Sequence, residues 1–115
     1  MSGRGWHVRR DGACLTLARR LPARFDVEAR TVLPFTGRGR LAAQIRQDVW
    51  RALQGQRGFS PVVEITAGAE GLAVRAGGRV ENARFDREGL ERRVAEVLAS
   101  PANRRRWLRG NGGGR

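Results

Sequence analysis

The chain has 115 residues, of which 40% are hydrophobic, a size that suits one compact domain and leaves no room for two hydrophobic cores. It carries 23 arginines, no lysine and 11 acidic residues, for a formal net charge of +12. No apolar run approaches the roughly 20 residues of a membrane span and no signal-peptide pattern opens the chain, so we expect a soluble cytoplasmic protein with no membrane partner.

The excess of arginine indicates a polyanionic partner. A small domain with this net charge has a strong positive field, which attracts nucleic acids, acidic proteins and anionic surfaces. The planar guanidinium group binds phosphate through two parallel hydrogen bonds and also stacks on bases. Nucleic acid is therefore the first interpretation of the charge, and an acidic protein neighbour in a larger assembly is the alternative.

The first predicted element is a β-hairpin over residues 6–19. The Asp11-Gly12 pair is a favoured two-residue type I′ turn, and the flanking residues alternate apolar with polar. Counting back from that turn pairs Val8 with Leu15. The predicted buried face of the hairpin consists of Trp6, Val8, Leu15 and Leu17.

A third strand is predicted over residues 24–31, with carboxylates on its exposed face that we expect to pair with neighbouring arginines. The next segment, residues 35–40, is a basic loop interrupted by two glycines. Glycines allow close backbone approach, and the start of a helix adds N–H groups with partial positive charge. The loop is therefore either an anion site built on Arg38 and Arg40 or an ordinary strand-to-helix link.

The longest run with a helical period is Arg40–Gln54. Its core side is predicted from the apolar spacing and consists of Leu41, Ile45, Val49, Ala52 and Leu53. Its opposite side has no carboxylate and consists of Arg40, Gln44, Gln47, Arg51 and Gln54. Such a side can contact phosphates and base edges, or it is simply a solvated helix face. Trp50 lies between the two sides and is assigned to the edge of the core, with base stacking as its alternative.

The second half of the chain predicts further strands before two helices. Pro61–Thr66 and Leu72–Ala76 have the composition and alternation of strands. A turn at Gly77-Gly78 then leads to a short sixth strand, Arg79–Phe85. The next helix spans residues 87–99, capped by Asp86, with an apolar stripe and a charge-balanced face.

A short terminal helix is predicted over residues 102–109, because Ser100-Pro101 combines an N-cap residue with proline at the first helical position. It contains the most concentrated basic cluster in the chain: Arg104, Arg105, Arg106 and Arg109. Four arginines in six positions, with few acids nearby, exceed what internal pairing can neutralise.

The resulting order, β-β-β-α-β-β-(β)-α-α, predicts an α+β domain with a mostly antiparallel sheet and helices packed on one side. Residues 6–109 form this single domain. Residues 1–5 and 110–115 are expected to be flexible tails.

No catalytic or metal-binding constellation emerges from the sequence. It has one histidine, one cysteine, no tyrosine and scattered acids, and no spacing among them suits metal ligands or an acid pair. We therefore expect neither a cofactor nor enzymatic activity. A small basic ribonuclease using His7 and Arg9 is the one enzymatic alternative.

The sequence thus predicts a nucleic-acid-binding protein, with DNA favoured over RNA. The predicted contact residues are Arg38, Arg40, Gln44, Gln47, Arg51, Arg104, Arg105, Arg106 and Arg109. The arginines would hold phosphates, and Gln44, Gln47 and Arg51 would read base edges if the first helix enters a major groove. A homodimer is compatible with this prediction, because one helix offers little area for specific binding. The alternative is a non-enzymatic interaction protein that docks its basic face on an acidic protein partner.

Overall fold

The computed structural model describes residues 6–112, with side chains described up to Arg109. Within this range the chain forms five strands and three helices. The strands are β1 His7–Asp11, β2 Cys14–Ala18, β3 Val27–Leu33, β4 Phe59–Ala67 and β5 Leu72–Val80. The helices are α1 Arg38–Leu53, α2 Arg87–Ala99 and α3 Pro101–Gly112.

The sheet has the strand order β1-β2-β4-β5-β3, and all its strand pairs are antiparallel. β1 and β3 are therefore its two edges. α1 packs on β2 and β4, α2 packs on β3, and α3 packs against both of these helices. The predicted α+β fold, an antiparallel sheet with helices packed on it, is confirmed.

The core lies between the helices and one face of the sheet. Alternation along the strands sends every second side chain toward the helices. The core side chains of the sheet include Leu15, Leu17, Val63, Ile65, Val74 and Ala76, all of them buried. The helices add Leu41, Ile45, Val49, Leu53, Leu90, Val94, Leu98 and Trp107. The predicted inward side of α1 is confirmed, including Ala52, which is half-buried against this core.

The opposite face of the sheet carries a network of ion pairs. Glu28 of β3 bonds to Arg75 of β5 at 2.6 Å and to Arg30 at 3.1 Å. Arg75 also lies 3.7 Å from Glu64 of β4. The prediction that the carboxylates of the third strand pair with neighbouring arginines is confirmed. These carboxylates lie on the face of the sheet turned away from the helices.

The hairpin forms, but its predicted register is wrong by two residues. Asp11 pairs with Cys14 and Val8 with Leu17, so the turn residues are Gly12 and Ala13. Gly12 has φ 61°, the positive value that a two-residue hairpin turn of type I′ or II′ requires at its first central position. Asp11 accordingly stays in β1, and the positive φ falls on a glycine.

The predicted burial of β1 is also wrong. A two-residue shift in pairing keeps each residue on its predicted face of the sheet, so Val8 still lies on the helix side. It is nevertheless 54% exposed, because β1 is the edge strand and lies beyond the cover of α1. Every residue of β1 is exposed, whereas Trp6, just before it, is half-buried.

The predicted sixth strand is wrong, since β5 continues through both glycines to Val80. Gly77 has φ 154°, and a Cβ there would collide with the carbonyl oxygen of Val27. A Cβ on Gly78 would collide with the carbonyl oxygen of Ser60. The glycines therefore permit close approach of β5 to its two neighbouring strands rather than a turn.

The helix boundaries depart from the predictions mainly at α1 and α3. α1 begins at Arg38, with Gly37 at the N-cap position, so the predicted basic loop supplies the first helical turn. The caps of the other helices are as predicted: Asp86 accepts from Gly89 N at 3.0 Å, and Ser100 Oγ accepts from Asn103 N at 3.2 Å.

α3 continues to Gly112, so residues 110–112 of the predicted tail are helical. Glycine costs a helix only about 1 kcal/mol relative to alanine and does not by itself end one. Residues 1–5 and 113–115 of the predicted tails lie outside the described range.

Candidate nucleic-acid interface

The outer side of α1 carries the first group of predicted contact residues. Arg40 is exposed and forms no ion pair with any residue whose side chain is described. Gln47 is also exposed, while Gln44 is half-buried. Arg51 is exposed but donates to Asp48 Oδ1 at 3.2 Å. The sequence placed Arg51 with the base-reading residues, and the structure adds this intramolecular partner.

Asp48 is a buried carboxylate to which the sequence analysis assigned no role. Only 7% exposed, it accepts the indole N–H of Trp107 at 2.7 Å and a guanidinium N–H of Arg106 at 3.0 Å. Together with Arg51 these donors satisfy the carboxylate and join α3 to α1. The position of Asp48 beside the apolar side of α1 could have indicated this role from the sequence, because a charge at that position must find partners within the fold.

The arginine cluster of α3 divides into inward and outward members. Arg104 donates to Thr31 Oγ1 at 3.0 Å and to the Val32 carbonyl at 3.0 Å, so it binds the edge of β3. Arg106 bonds to Asp48. Arg105 and Arg109 lie opposite Trp107 on the helix, are exposed, and have no ion pair within the part of the chain that the structure describes.

Arg38 is half-buried in the first turn of α1 and donates to the Ala13 carbonyl at 2.5 Å. It thereby ties the helix N-terminus to the β1–β2 turn. Arg40, two residues later, remains exposed at the same end of the helix. The first turn of α1 thus offers one guanidinium engaged in the fold and one directed to solvent.

A pocket of about 430 Å³ lies where β2 ends and β4 begins, beside the second half of α1. We call it the Trp6 pocket. It is lined by Trp6, Arg19, Arg20, Arg46, Trp50, Phe59, Ser60 and Pro61. These lining residues include three arginines and three aromatic side chains but no carboxylate. They come from four separate segments of the chain, so their grouping could not be predicted from the sequence.

Two guanidinium groups converge on the indole ring of Trp6. The Arg46 guanidinium lies 4.4 Å from the ring centroid, and that of Arg19 lies 5.5 Å from it. The negative face of the ring stabilises both cations. Burial lowers the pKa of Arg46, and the neighbouring charge of Arg19 lowers it further. The Nε atom of Arg46 is buried with no hydrogen-bond acceptor among the described residues.

Trp50 forms the aromatic wall of the pocket. It is 41% exposed, so its assignment to the edge of the core accounts for only part of its surface. Its ring stacks on Phe59 with a centroid distance of 6.5 Å and an interplanar angle of 5°. Phe59 is buried, and it therefore holds the Trp50 ring in place while part of that ring faces solvent.

Within residues 6–112, no group of three or more histidine, cysteine or acidic side chains is arranged to hold a metal ion. The same range contains no helix that combines the length and the apolar character needed to cross a membrane. Comparison with protein-family models, with curated proteins and with solved structures found no match to this chain.

Proposed function

We propose that this protein binds nucleic acid, with DNA as the favoured form, through the outer surface of α1 and α3. The observation that carries this proposal is the charge of the two helices. Together they contain eight arginines and one carboxylate, Asp48, which is buried and already bonded to Arg51 and Arg106. The remaining charge has no acidic counterpart on either helix.

The outward cations differ from those engaged in the fold. Arg40, Arg105 and Arg109 are exposed and form no ion pair within the described part of the chain, so they are available to phosphates. Gln47 is exposed beside Arg40 on α1 and offers both a donor and an acceptor to a base edge. By contrast, Arg38, Arg104 and Arg106 bond within the fold and position the helices. Phosphate binding by the outward group accordingly needs no rearrangement of the core.

The experiment is fluorescence anisotropy of labelled duplex DNA, duplex RNA and single strands with the purified protein over a salt series. We expect binding at physiological salt that weakens linearly on a plot of log affinity against log salt concentration, because counterions are released from phosphates. Unlabelled duplex DNA should displace the probe, and polyglutamate at the same charge concentration should displace it poorly.

Weak binding that is indifferent to the form of the probe and abolished by moderate salt would contradict the proposal. Equal displacement by polyglutamate would also contradict it, since charge alone would then explain the interaction. Either result would leave the acidic protein partner as the interpretation of the basic surface.

A further inference from the structure

We propose that the Trp6 pocket receives one unpaired nucleotide of a bound strand, with its base stacked on Trp50 and its phosphate held by Arg19 and Arg46. This inference rests on the proposed function and specifies the ligand that this part of the surface accepts. The sequence prediction placed base reading on the outer side of α1 and gave base stacking only as the alternative for Trp50.

The surroundings of Arg46 favour an anion in this pocket. Its guanidinium is partly withdrawn from water, close to the like charge of Arg19, and its Nε atom has no acceptor among the described residues. A buried donor without a partner is unfavourable, and so is a pair of cations without a counterion. A phosphate group supplies a negative charge and several acceptor oxygens at one point, so it would neutralise the pair of cations and accept from their outer guanidinium N–H groups.

The pocket combines an aromatic surface with cations. Nucleic acid without a partner strand is bound by grooves in which bases stack on aromatic rings while positive groups follow the backbone. Trp50 offers an exposed ring backed by Phe59, and the guanidinium groups over Trp6 lie in the same pocket. A volume of about 430 Å³ lies within the usual range of small-ligand sites.

The pocket also lies next to the outer side of α1. Arg46 and Trp50 are four residues apart and therefore occupy one flank of the helix, adjacent to the outer side that carries Gln47. A strand held by the outward arginines can continue over this flank into the pocket. A base in the interior of a duplex cannot stack on Trp50, because its faces are covered by neighbouring base pairs.

The test compares blunt duplex DNA with the same duplex carrying a short single-stranded thymidine extension. We expect the protein to bind the extended duplex at least about fivefold more tightly, the lower end of the gain from stacking one base on an aromatic ring. The extension should also quench tryptophan fluorescence. Trp107 is fully buried, so a change in the signal reports mainly on the other two indoles.

Two substitutions assign the preference to the pocket. Trp50→Leu should remove the stacking surface, and Arg46→Gln should remove the phosphate contact. Each substitution should abolish the preference for the extended duplex, while binding to the blunt duplex persists. Arg92→Gln, on the exposed surface of α2, removes the same charge and should retain the preference. Arg19→Gln, at an exposed position, repeats the test if either pocket variant proves unstable.

The possible failures can be separated. If the wild-type protein binds both duplexes equally, or if Trp50→Leu and Arg46→Gln retain the preference, the pocket is not the site and this inference is overturned while the proposed function stands. If no DNA binds at physiological salt, the proposed function fails and this inference fails with it.

Discussion

Trp107 of α3 donates its indole N–H to the carboxylate of Asp48 on α1 across 2.7 Å, and both side chains are buried. The same carboxylate accepts from Arg106 and Arg51. This contact holds the terminal helix against the helix that carries the outward Arg40 and Gln47. Among arginines that look alike in the sequence, some are therefore engaged within the fold and others face solvent.

Asp48→Ala should reduce the free energy of unfolding by about 2–4 kcal/mol, because it leaves the buried indole N–H without its acceptor and two guanidinium groups without their carboxylate. Urea denaturation measures the change. Glu96→Ala, which removes an exposed carboxylate of α2, is the control and should alter stability by no more than about 0.5 kcal/mol. Equal effects of the two substitutions would contradict the assigned role of Asp48.

Arg104→Ala and Arg105→Ala should separate structure from binding at neighbouring positions. Arg104 donates to Thr31, to the Val32 carbonyl and to the Leu98 carbonyl, so its loss should cost about 1–3 kcal/mol of stability. Arg105 is exposed, and its loss should leave the unfolding midpoint nearly unchanged while weakening DNA binding. Thermal unfolding and anisotropy on the same two variants check this, and the reverse pattern would show that α3 is oriented differently.

The double variant Arg105→Ala/Arg109→Ala should flatten the salt dependence of DNA affinity. Each phosphate contact contributes about 0.9 to the log–log slope, so removal of two contacts should lower its magnitude by about 1.8. The matched control is Arg30→Ala/Arg87→Ala, which removes the same formal charge at residues paired with Glu28 and Glu91. If both double variants changed the slope equally, net charge rather than the position of the arginines would govern binding.

Acid should destabilise the protein partly through Asp26. The hydrogen bond from Arg24 lowers the pKa of Asp26, burial opposes this effect, and the N–H of Val80 adds to the lowering. Because the pKa is lower in the folded state, ionised Asp26 stabilises the fold above its unfolded pKa of about 3.9, and this contribution is lost as the pH falls through the folded-state value.

Urea denaturation from pH 6 down to pH 2 measures that contribution. The Asp26→Asn variant should start less stable at pH 6 and lose less stability over the series than the wild-type protein. Glu88→Gln changes an exposed carboxylate at the start of α2 and should follow the wild-type curve. Parallel curves for wild type and Asp26→Asn would show that Asp26 is not responsible for the acid effect.

The sequence predicted the features that depend on local periodicity and capping. The spacing of Leu41, Ile45 and Val49 correctly identified the buried side of α1, since a helix repeats its faces whatever lies beyond it. Asp86 and Ser100 were correctly identified as caps, because capping needs only the next three residues. The alternation of β2 likewise predicted that Leu15 and Leu17 face the core.

Features that depend on distant neighbours could not be predicted in the same way. The Gly77-Gly78 pair of β5 resembles a turn in the sequence, and only the positions of β3 and β4 explain why these glycines lie within a strand. Val8 has the pattern of a buried strand residue, yet its exposure depends on how far α1 extends across the sheet. The spacing of residues in the sequence shows neither which strands lie beside a glycine nor how much of the sheet a helix covers.

The sequence by itself determined the fold class, the inward sides of the helices and the large excess of positive charge, because propensity, periodicity and composition are properties of the chain alone. Only the tertiary structure decided which arginines are engaged within the fold and which face solvent. Arg51 is four positions from Gln47 on the same side of α1, and only the docking of α3 shows that it shares Asp48 with Arg106. The Trp6 pocket exists only in the folded chain for the same reason: a side chain's partners are set by contacts between segments far apart in sequence.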